Sequence, residues 1–451
     1  MIKEIKNQSS VQHKSDEHPS SGSRRSQERL QSQRQLSRRN QRLLTAGMIF
    51  GTIILAVVIW FLRRPDQLQH PYVWVDEFRI LNRYQLHGFI YAAIAPLQGY
   101  SVWPTSFSIS LASLLDFGRI PLIDYWLSTF WYVVTCCLIL IPNSALRLRW
   151  RIGLVVLLAL APVNPEVYGI ALYSFWWTTL WPLISLMWSK DYWWLRITVL
   201  IIGGMSSLAG ALLVIPYAVM YLISRKRRDL VGTLILASIS VIQVATYLHS
   251  TRATQIPIKP LYILLQEFRN FSLYALAWLN PTDTGFLGFA GACLLIGIMC
   301  VVGYFLISKA TVAKEIVVLF VGLLVLGSIS AIPAALVSSP GAAGPRYYFL
   351  PFVVCGWLLL VLAMTATQNW IRLASAALIV MSLFALTQNF SRHEDPIDWS
   401  YQLARCATAT KPFSVPVQYT GVRAQAWNGL LIITPETCRS LGYYPQEVHK
   451  T

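Results

Sequence analysis

Apolar stretches long enough to cross a bilayer recur along this chain, and nothing else in it constrains the fold as much. About 20 helical residues, at roughly 1.5 Å each, span the hydrocarbon of a membrane. A backbone in lipid has to satisfy its own N–H and C=O groups, so repeated runs of this kind leave a helical bundle as the solution. The composition agrees: 55% of residues are hydrophobic, 13% are charged, and 17 Trp and 21 Tyr suit many membrane–water boundaries. The expected fold class is an all-α polytopic membrane protein of about 11 transmembrane helices, with a small extracytoplasmic C-terminal α/β piece.

A net charge of +17 invites a nucleic-acid partner, but its distribution argues against one. Residues 1–42 carry three Lys and seven Arg against four acids, and most other basic residues sit in short clusters beside apolar runs. That is the pattern of a positive-inside bias and of attraction to anionic lipid. No zinc-finger or RNP-like motif accompanies it. The expected partners include membrane lipids and exclude nucleic acid.

Read in order, residues 1–42 are rich in Ser, Gln and Arg and are expected to form a disordered basic cytoplasmic tail. Residues 43–388 form the transmembrane domain, beginning with a helix over about 43–62 that leads outward. Arg63 and Arg64 at its outer end run against the charge rule, but the upstream arginines outnumber them. The first outer loop, 63–120, holds a stretch suited to an interfacial helix and a more apolar segment, 102–115. Residues 121–141 return to Arg147, Arg149 and Arg151.

Two apolar runs are then interrupted, 152–189 by Pro162 and Pro165, and 197–223 by Gly203, Gly204, Gly210 and Pro216. Basic residues flank both runs at both ends, so each is expected to be a hairpin that starts and ends in the cytoplasm. Five further spans carry the chain out past a loop at 249–284 and leave 389–451 outside. The expected location is the inner (plasma) membrane of a bacterium, with the N-terminus cytoplasmic and the C-terminus extracytoplasmic.

That topology gathers several polar residues on one side. Asp76 and Glu77 are adjacent in a chain with only 20 acids. A carboxylate beside an incoming hydroxyl takes its proton as a new bond forms, which makes the pair catalytic candidates; a solvated loop pair is the plainer alternative. Asp76 is preferred, because Glu77 could turn toward Arg79 or Arg83. Glu166 sits at the apex of the first hairpin, and an acid between proline-broken apolar arms leans functional. Arg346, followed by Tyr347, offers a guanidinium fork that suits a phosphate, or else an interfacial anchor. Arg252 and Lys259 are weaker candidates for the same anion and read more simply as loop charges. Cys406 and Cys438 lie in the C-terminal piece, where an external compartment permits a disulfide, two free thiols being the other reading. There is no Walker loop, Rossmann glycine pattern, HExxH or nucleophile elbow, which disfavours ATP-driven or nicotinamide chemistry within the chain.

In layout the sequence resembles the GT-C superfamily of polytopic glycosyltransferases. The matching stretches are Val75-Asp76-Glu77-Phe78 after a first helix, Asn164-Pro165-Glu166-Val167-Tyr168-Gly169 in a proline-broken hairpin, and Pro345-Arg346-Tyr347-Tyr348 in a late outer loop, followed by a small outer C-terminal piece. The resemblance implies transfer of a sugar from a polyprenyl-phosphate-linked donor to a glycan or lipid acceptor of the cell envelope. It implies Asp76 or Glu77 as base or, in some members, as ligand to a divalent metal, and Arg346 as the contact to the carrier phosphate. The residues themselves define no metal set. The C-terminal piece, about 60 residues, is shorter than in many members. The main rival is a transporter or lipid-linked oligosaccharide flippase that makes no bonds. Transporters are often built from internal repeats with charges at mid-span, and here there is no convincing repeat and the notable charges gather at one face.

Overall fold

The computed structural model describes residues 21–97, 99–142, 146–190, 192–250, 274, 284–307, 313–334, 345–388, 390–394, 397–417 and 431–441. Residues 1–51 and 52–451 are two compact units. The first helix runs Ser21–Arg63, so residues 21–42, expected as part of a disordered tail, are helical. Arg, Gln and Leu recur through that stretch and are good helix formers, a preference that needs no apolar face.

Six helices among the described residues are long and apolar enough to cross a membrane. They are Arg39–Arg63, Phe117–Leu140, Arg227–Leu248, Ala313–Ser330, Arg346–Thr365 and Asn369–Thr387, of which Arg346–Thr365 is the most enclosed. The other expected spans appear as the helix Thr284–Ile307, as the shorter apolar helices Trp193–Gly204 and Leu208–Ser224, and as the broken run at 148–187, where the chain is interrupted. Proline and glycine set this difference: each removes a donor or weakens the helix at the point where the run would have to continue.

The broken runs fold back on themselves. In the first, Leu148–Ala159 leads to an irregular tip, and Ser174–Thr179 and Trp181–Met187 bring the chain home. Ser189 Oγ then donates to the Pro142 carbonyl at 3.1 Å, so the run ends beside the turn from which it set out. In the second, Trp193–Gly204 is followed by Leu208–Leu212 and Val214–Ser224. The arms touch where both residues are glycine: a Cβ on Gly210 would collide with the Gly203 carbonyl, and one on Gly203 with the ring of Pro182. The buried turn between them is satisfied by hydroxyls, Thr179 Oγ1 with Ser207 Oγ at 2.7 Å and Ser206 Oγ donating to Thr178 Oγ1 at 2.7 Å.

The bundle therefore has two distinct ends. At one, Arg228 donates to the Ser189 carbonyl, Lys314 to the Leu186 carbonyl and Arg151 to the Leu140 carbonyl. At the other, the tip of the first hairpin meets Arg63, Arg64 and the loop that follows them. Here lie the short helix Pro65–Gln69, the 3₁₀ turn Val75–Glu77 and the helices Phe78–Ile94 and Trp103–Leu115, packed against one another. Phe78–Ile94 is broken at Gly88, whose φ of +77° ordinary side chains resist.

The C-terminal piece joins this second end. Trp399 Nε1 donates to the Phe117 carbonyl at 3.2 Å, and the Arg392 N–H donates to the Arg63 carbonyl at 3.1 Å. Helix Trp399–Thr408, strands Phe413–Val415 and Leu431–Ile433, and helix Pro435–Ser440 make up its described part. The strands pair antiparallel with Phe413 opposite Ile433. A disulfide joins Cys406 to Cys438, both fully buried, across 32 residues of sequence.

Candidate functional site

The site is built on the tip of the first hairpin. Pro162 and Pro165 cannot donate to a helix, so the backbone from Ala159 to Tyr168 exposes carbonyls with no helical partner. The two arginines that run against the charge rule satisfy them. Arg63 donates to the carbonyls of Ala161 at 3.1 Å and Val163 at 2.6 Å, and Arg64 reaches those of Pro165, Glu166 and Tyr168 at 3.4–3.5 Å. Arg64 also clasps Asp66 through both carboxylate oxygens at 2.9 and 3.1 Å, and the Tyr72 hydroxyl closes the group by donating to Asp66 at 2.7 Å. All three side chains are buried. This knot fixes where the tip sits, and with it Glu166.

At the tip, the Asn164 side chain accepts from the Glu166 N–H at 3.0 Å and opens a 3₁₀ turn. Gly169, at φ +71°, then swings the chain past Tyr125 and Gln67, where a Cβ would sit within 3.2 Å of both side chains. The swing brings Tyr173 back over Glu166. One Glu166 oxygen accepts from the Tyr173 hydroxyl and from Arg346 at 2.5 Å; the other accepts from Arg392 at 3.3 Å. Arg346 also donates to the Tyr173 hydroxyl at 2.9 Å. Arg392 donates to Asn164 Oδ1 at 3.1 Å and to Glu394 at 2.6 Å, and lies 5.5 Å above the ring of Trp74. Tyr347 stands beside Arg346, whose guanidinium is 5.3 Å from its ring, and meets Trp176 edge-on.

Two guanidiniums thus converge on one buried carboxylate. Burial by itself would raise the Glu166 carboxyl, but the Arg346 charge, the Tyr173 hydroxyl and Arg392 outweigh it and hold the carboxyl below its ordinary value. Asp76 is half-buried at the edge of this group, close enough for its charge to act on the Tyr173 hydroxyl and on Glu77.

The acid pair is divided by the turn it lies in. Glu77 is 2% exposed, and its oxygens accept from the backbone N–H of Trp74 at 2.7 Å and of Leu172 at 3.0 Å. It clamps the start of the Phe78–Ile94 helix to the returning arm of the hairpin. Glu77, expected as a catalytic candidate, has a backbone N–H on each oxygen, one of them from the residue before Tyr173. Asp76 is the member whose charge reaches the Tyr173 hydroxyl. Arg252 and Lys259 lie outside the described residues. Tyr173 and Arg392 are site residues the sequence reading missed. Tyr173 is hidden among the aromatics of the broken hairpin, and Arg392 sits in a short polar link where a basic residue is unremarkable.

Burial pushes the Glu77 carboxyl up to about 7 against the pull of its two backbone donors, and the Asp76 charge adds to the rise. A carboxyl raised in the folded state stabilises the fold below its unfolded value of 4.5 and loses that contribution as pH climbs through about 7. Glu166, held low, works the opposite way: its contribution is present above 4.5 and fades as pH falls through its depressed value. Apparent unfolding midpoints in detergent, measured from pH 4.5 to 8, are therefore expected to fall toward neutrality in the wild type. The fall should flatten in Glu77→Gln. Identical slopes would show that Glu77 does not titrate in this range.

Among the described residues no three His, Cys, Asp or Glu side chains gather in a way that could hold a metal. Near Asp76, Glu77 is held by backbone N–H groups and Glu166 by guanidiniums, a surrounding that suits an anion better than a divalent cation. Compared with known proteins, the chain matches no family model, no curated protein and no solved structure.

Proposed function

We propose that this chain is a membrane glycosyltransferase that moves a sugar from a polyprenyl-phosphate carrier to a cell-envelope glycan or lipid acceptor at the outer face. The observation that carries the reading is the meeting, at one end of the bundle, of Asp76, Tyr173, Glu166, Arg346 and Arg392. A lipid-phosphate leaving group needs no nucleotide. It needs an acceptor for one proton and cations for one departing phosphate, and this end of the molecule offers a carboxylate beside two guanidiniums.

In this reading the acceptor hydroxyl oxygen bonds to the anomeric carbon while the bond from that carbon to the phosphate oxygen breaks. The electron pair leaves on the phosphate, where Arg346 and Arg392 hold it. The hydroxyl proton passes to Asp76. Glu166 and Tyr173 aim the two arginines. Inversion at the anomeric carbon is expected from the GT-C resemblance. The outer-face assignment draws on two supports. Arg147, Arg149, Arg151, Lys190 and the run Arg225–Arg228 lie toward the opposite end of the bundle, the arrangement of a positive-inside bias. The disulfide Cys406–Cys438 belongs to the piece joined to the site end and suits an oxidising compartment. About 11 crossings, with the short broken helices counted in pairs, then leave the C-terminus outside.

The test is a cell lacking the protein, profiled for carrier-linked sugars and envelope glycans. One polyprenyl-phosphate sugar is expected to accumulate while one glycan or glycolipid loses the same residue. Unchanged pools of both would end the proposal. Accumulation confined to the inner leaflet would point to a flippase instead.

A further inference from the structure

Two helices that are each too short to cross a bilayer abut one another in this fold. Trp193–Gly204 has 12 residues and Trp103–Leu115 has 13. Their lengths are about 18 and 20 Å, where about 30 Å of hydrocarbon has to be spanned. The two meet end to end. The Trp103 N–H, at the start of one helix, donates at 3.1 Å to the carbonyl of Met205, the residue that caps the other. Each end thereby satisfies a backbone group that a free helix terminus leaves open, and the partial charges that meet are of opposite sign. Laid end to end the pair are about 37 Å long, enough for a full crossing.

Three contacts place the joint within the depth of the bundle. Gln243, fully buried on the helix Arg227–Leu248, accepts from the Ser101 N–H at 2.8 Å and donates to the carbonyls of Ser101 and Gly204, both at 3.2 Å. It stands about 24 Å along that helix from Arg227, short of the far end. Trp131 Nε1, near the middle of Phe117–Leu140, donates to Ser108 Oγ at 2.8 Å. Irregular backbone at such a depth has to be paired by protein, and Gln243 pairs both polar groups of Ser101. Just before the joint, Gly99 at φ +96° turns the chain past the end of Arg227–Leu248, where a Cβ would collide with Ser250. The helix that leads to this turn, Phe78–Ile94, leaves Leu86, Ile90 and Ile94 at 75, 73 and 60% exposure.

We propose that these two loop helices form a lipid-facing surface. Trp103–Leu115 completes, from the site end, the crossing that Trp193–Gly204 begins from the end lined by Arg228 and Lys314. Leu86, Ile90 and Ile94 rest on the acyl chains of the leaflet at the site end. Phospholipid is the occupant because the joint ties this surface to the depth of the spans and continues their exposed apolar faces, such as Val241 and Leu248. Arg79 and His87, exposed on the same helix, suit the head-group phosphates above those chains. The crossing belongs to two distant stretches of sequence, which is why neither stretch reads as a span alone. The inference does not depend on sugar transfer.

Spin labelling of the full-length protein in lipid nanodiscs tests this. Cys136, Cys137, Cys293, Cys300 and Cys355 are replaced by Ala, the disulfide is kept, and one cysteine is introduced at a time. The quantity read is the ratio of collisions with oxygen to collisions with a water-soluble nickel chelate. At Leu86→Cys, Ile90→Cys and Ile94→Cys it is expected to match Val241→Cys, and to lie several-fold above Ser400→Cys on the exposed C-terminal piece. It should also rise from Leu115→Cys through Leu111→Cys to Phe107→Cys, as that helix enters the bilayer. Ratios like that of Ser400→Cys at the first three sites, or no rise along the second series, would overturn the proposal. Labels shielded from both reagents would overturn it too, and would mean that a second protein covers this face. Where the cysteine-substituted background does not fold, benzoylphenylalanine placed at position 90 of the natural-cysteine protein decides the matter. Photo-capture of phospholipid is expected, and its absence would overturn the proposal.

Discussion

Asp76→Asn is expected to lower turnover by about two to four orders of magnitude, the range of a lost general base, with little change in fold or in donor affinity. Its carboxylate would act only as the acceptor hydroxyl gives up its proton, so the loss should appear in kcat and leave KM nearly unchanged. Glu77→Gln is the matched control. The substituted amide would present its NH₂ to one of the two backbone donors that Glu77 now accepts from, at Trp74 and Leu172. The expected loss there is one of stability, with turnover per folded molecule reduced far less. Assays with a polyprenyl-phosphate-linked donor in nanodiscs, normalised to folded protein, separate the two. Asp76→Asn within threefold of wild type would remove Asp76 from the chemistry.

The largest stability effect is expected at the knot beside the site. Asp66→Ala strands the Arg64 guanidinium, which is fully buried, with only long contacts to carbonyls and the Tyr72 hydroxyl. Removing one partner of a buried ion pair typically costs about 3–5 kcal/mol, because the remaining charge is left uncompensated. Replacing both partners together, as in Arg64→Met with Asp66→Leu, should cost clearly less than the sum of the single changes. Chemical unfolding in detergent measures all three. A cost below about 1 kcal/mol for Asp66→Ala would show that Arg64 draws its compensation from the hairpin carbonyls alone.

Much of this arrangement was legible in the sequence, and the exceptions share a cause. Asp76, Glu166 and Arg346 were visible because charged residues are scarce and because flanking arginines told which runs must turn back. The hairpins were visible because proline and glycine interrupt apolar stretches at the places where helices end. The two backbone donors on Glu77 were not visible, because consecutive residues on a 3₁₀ turn point in different directions, which spacing alone does not resolve. Tyr173 and Arg392 were missed because each depends on tertiary placement: one on the swing at Gly169, the other on the C-terminal link returning to the hairpin tip. The helix over 21–42 was missed because composition was taken to mean disorder where propensity favoured a helix.

The clasp of Arg63 and Arg64 on the hairpin tip also orders events during synthesis. Their carbonyl partners lie 96–104 residues further along the chain. At about 5–20 residues per second, those partners emerge some 5–20 s after the arginines do. Until then the two guanidiniums have only water, lipid head groups, Asp66 and Tyr72 to meet, so the end of the first helix has to wait at the membrane surface. Docking of the first hairpin is what releases it into its final seat, and this end of the molecule closes from the hairpin inward.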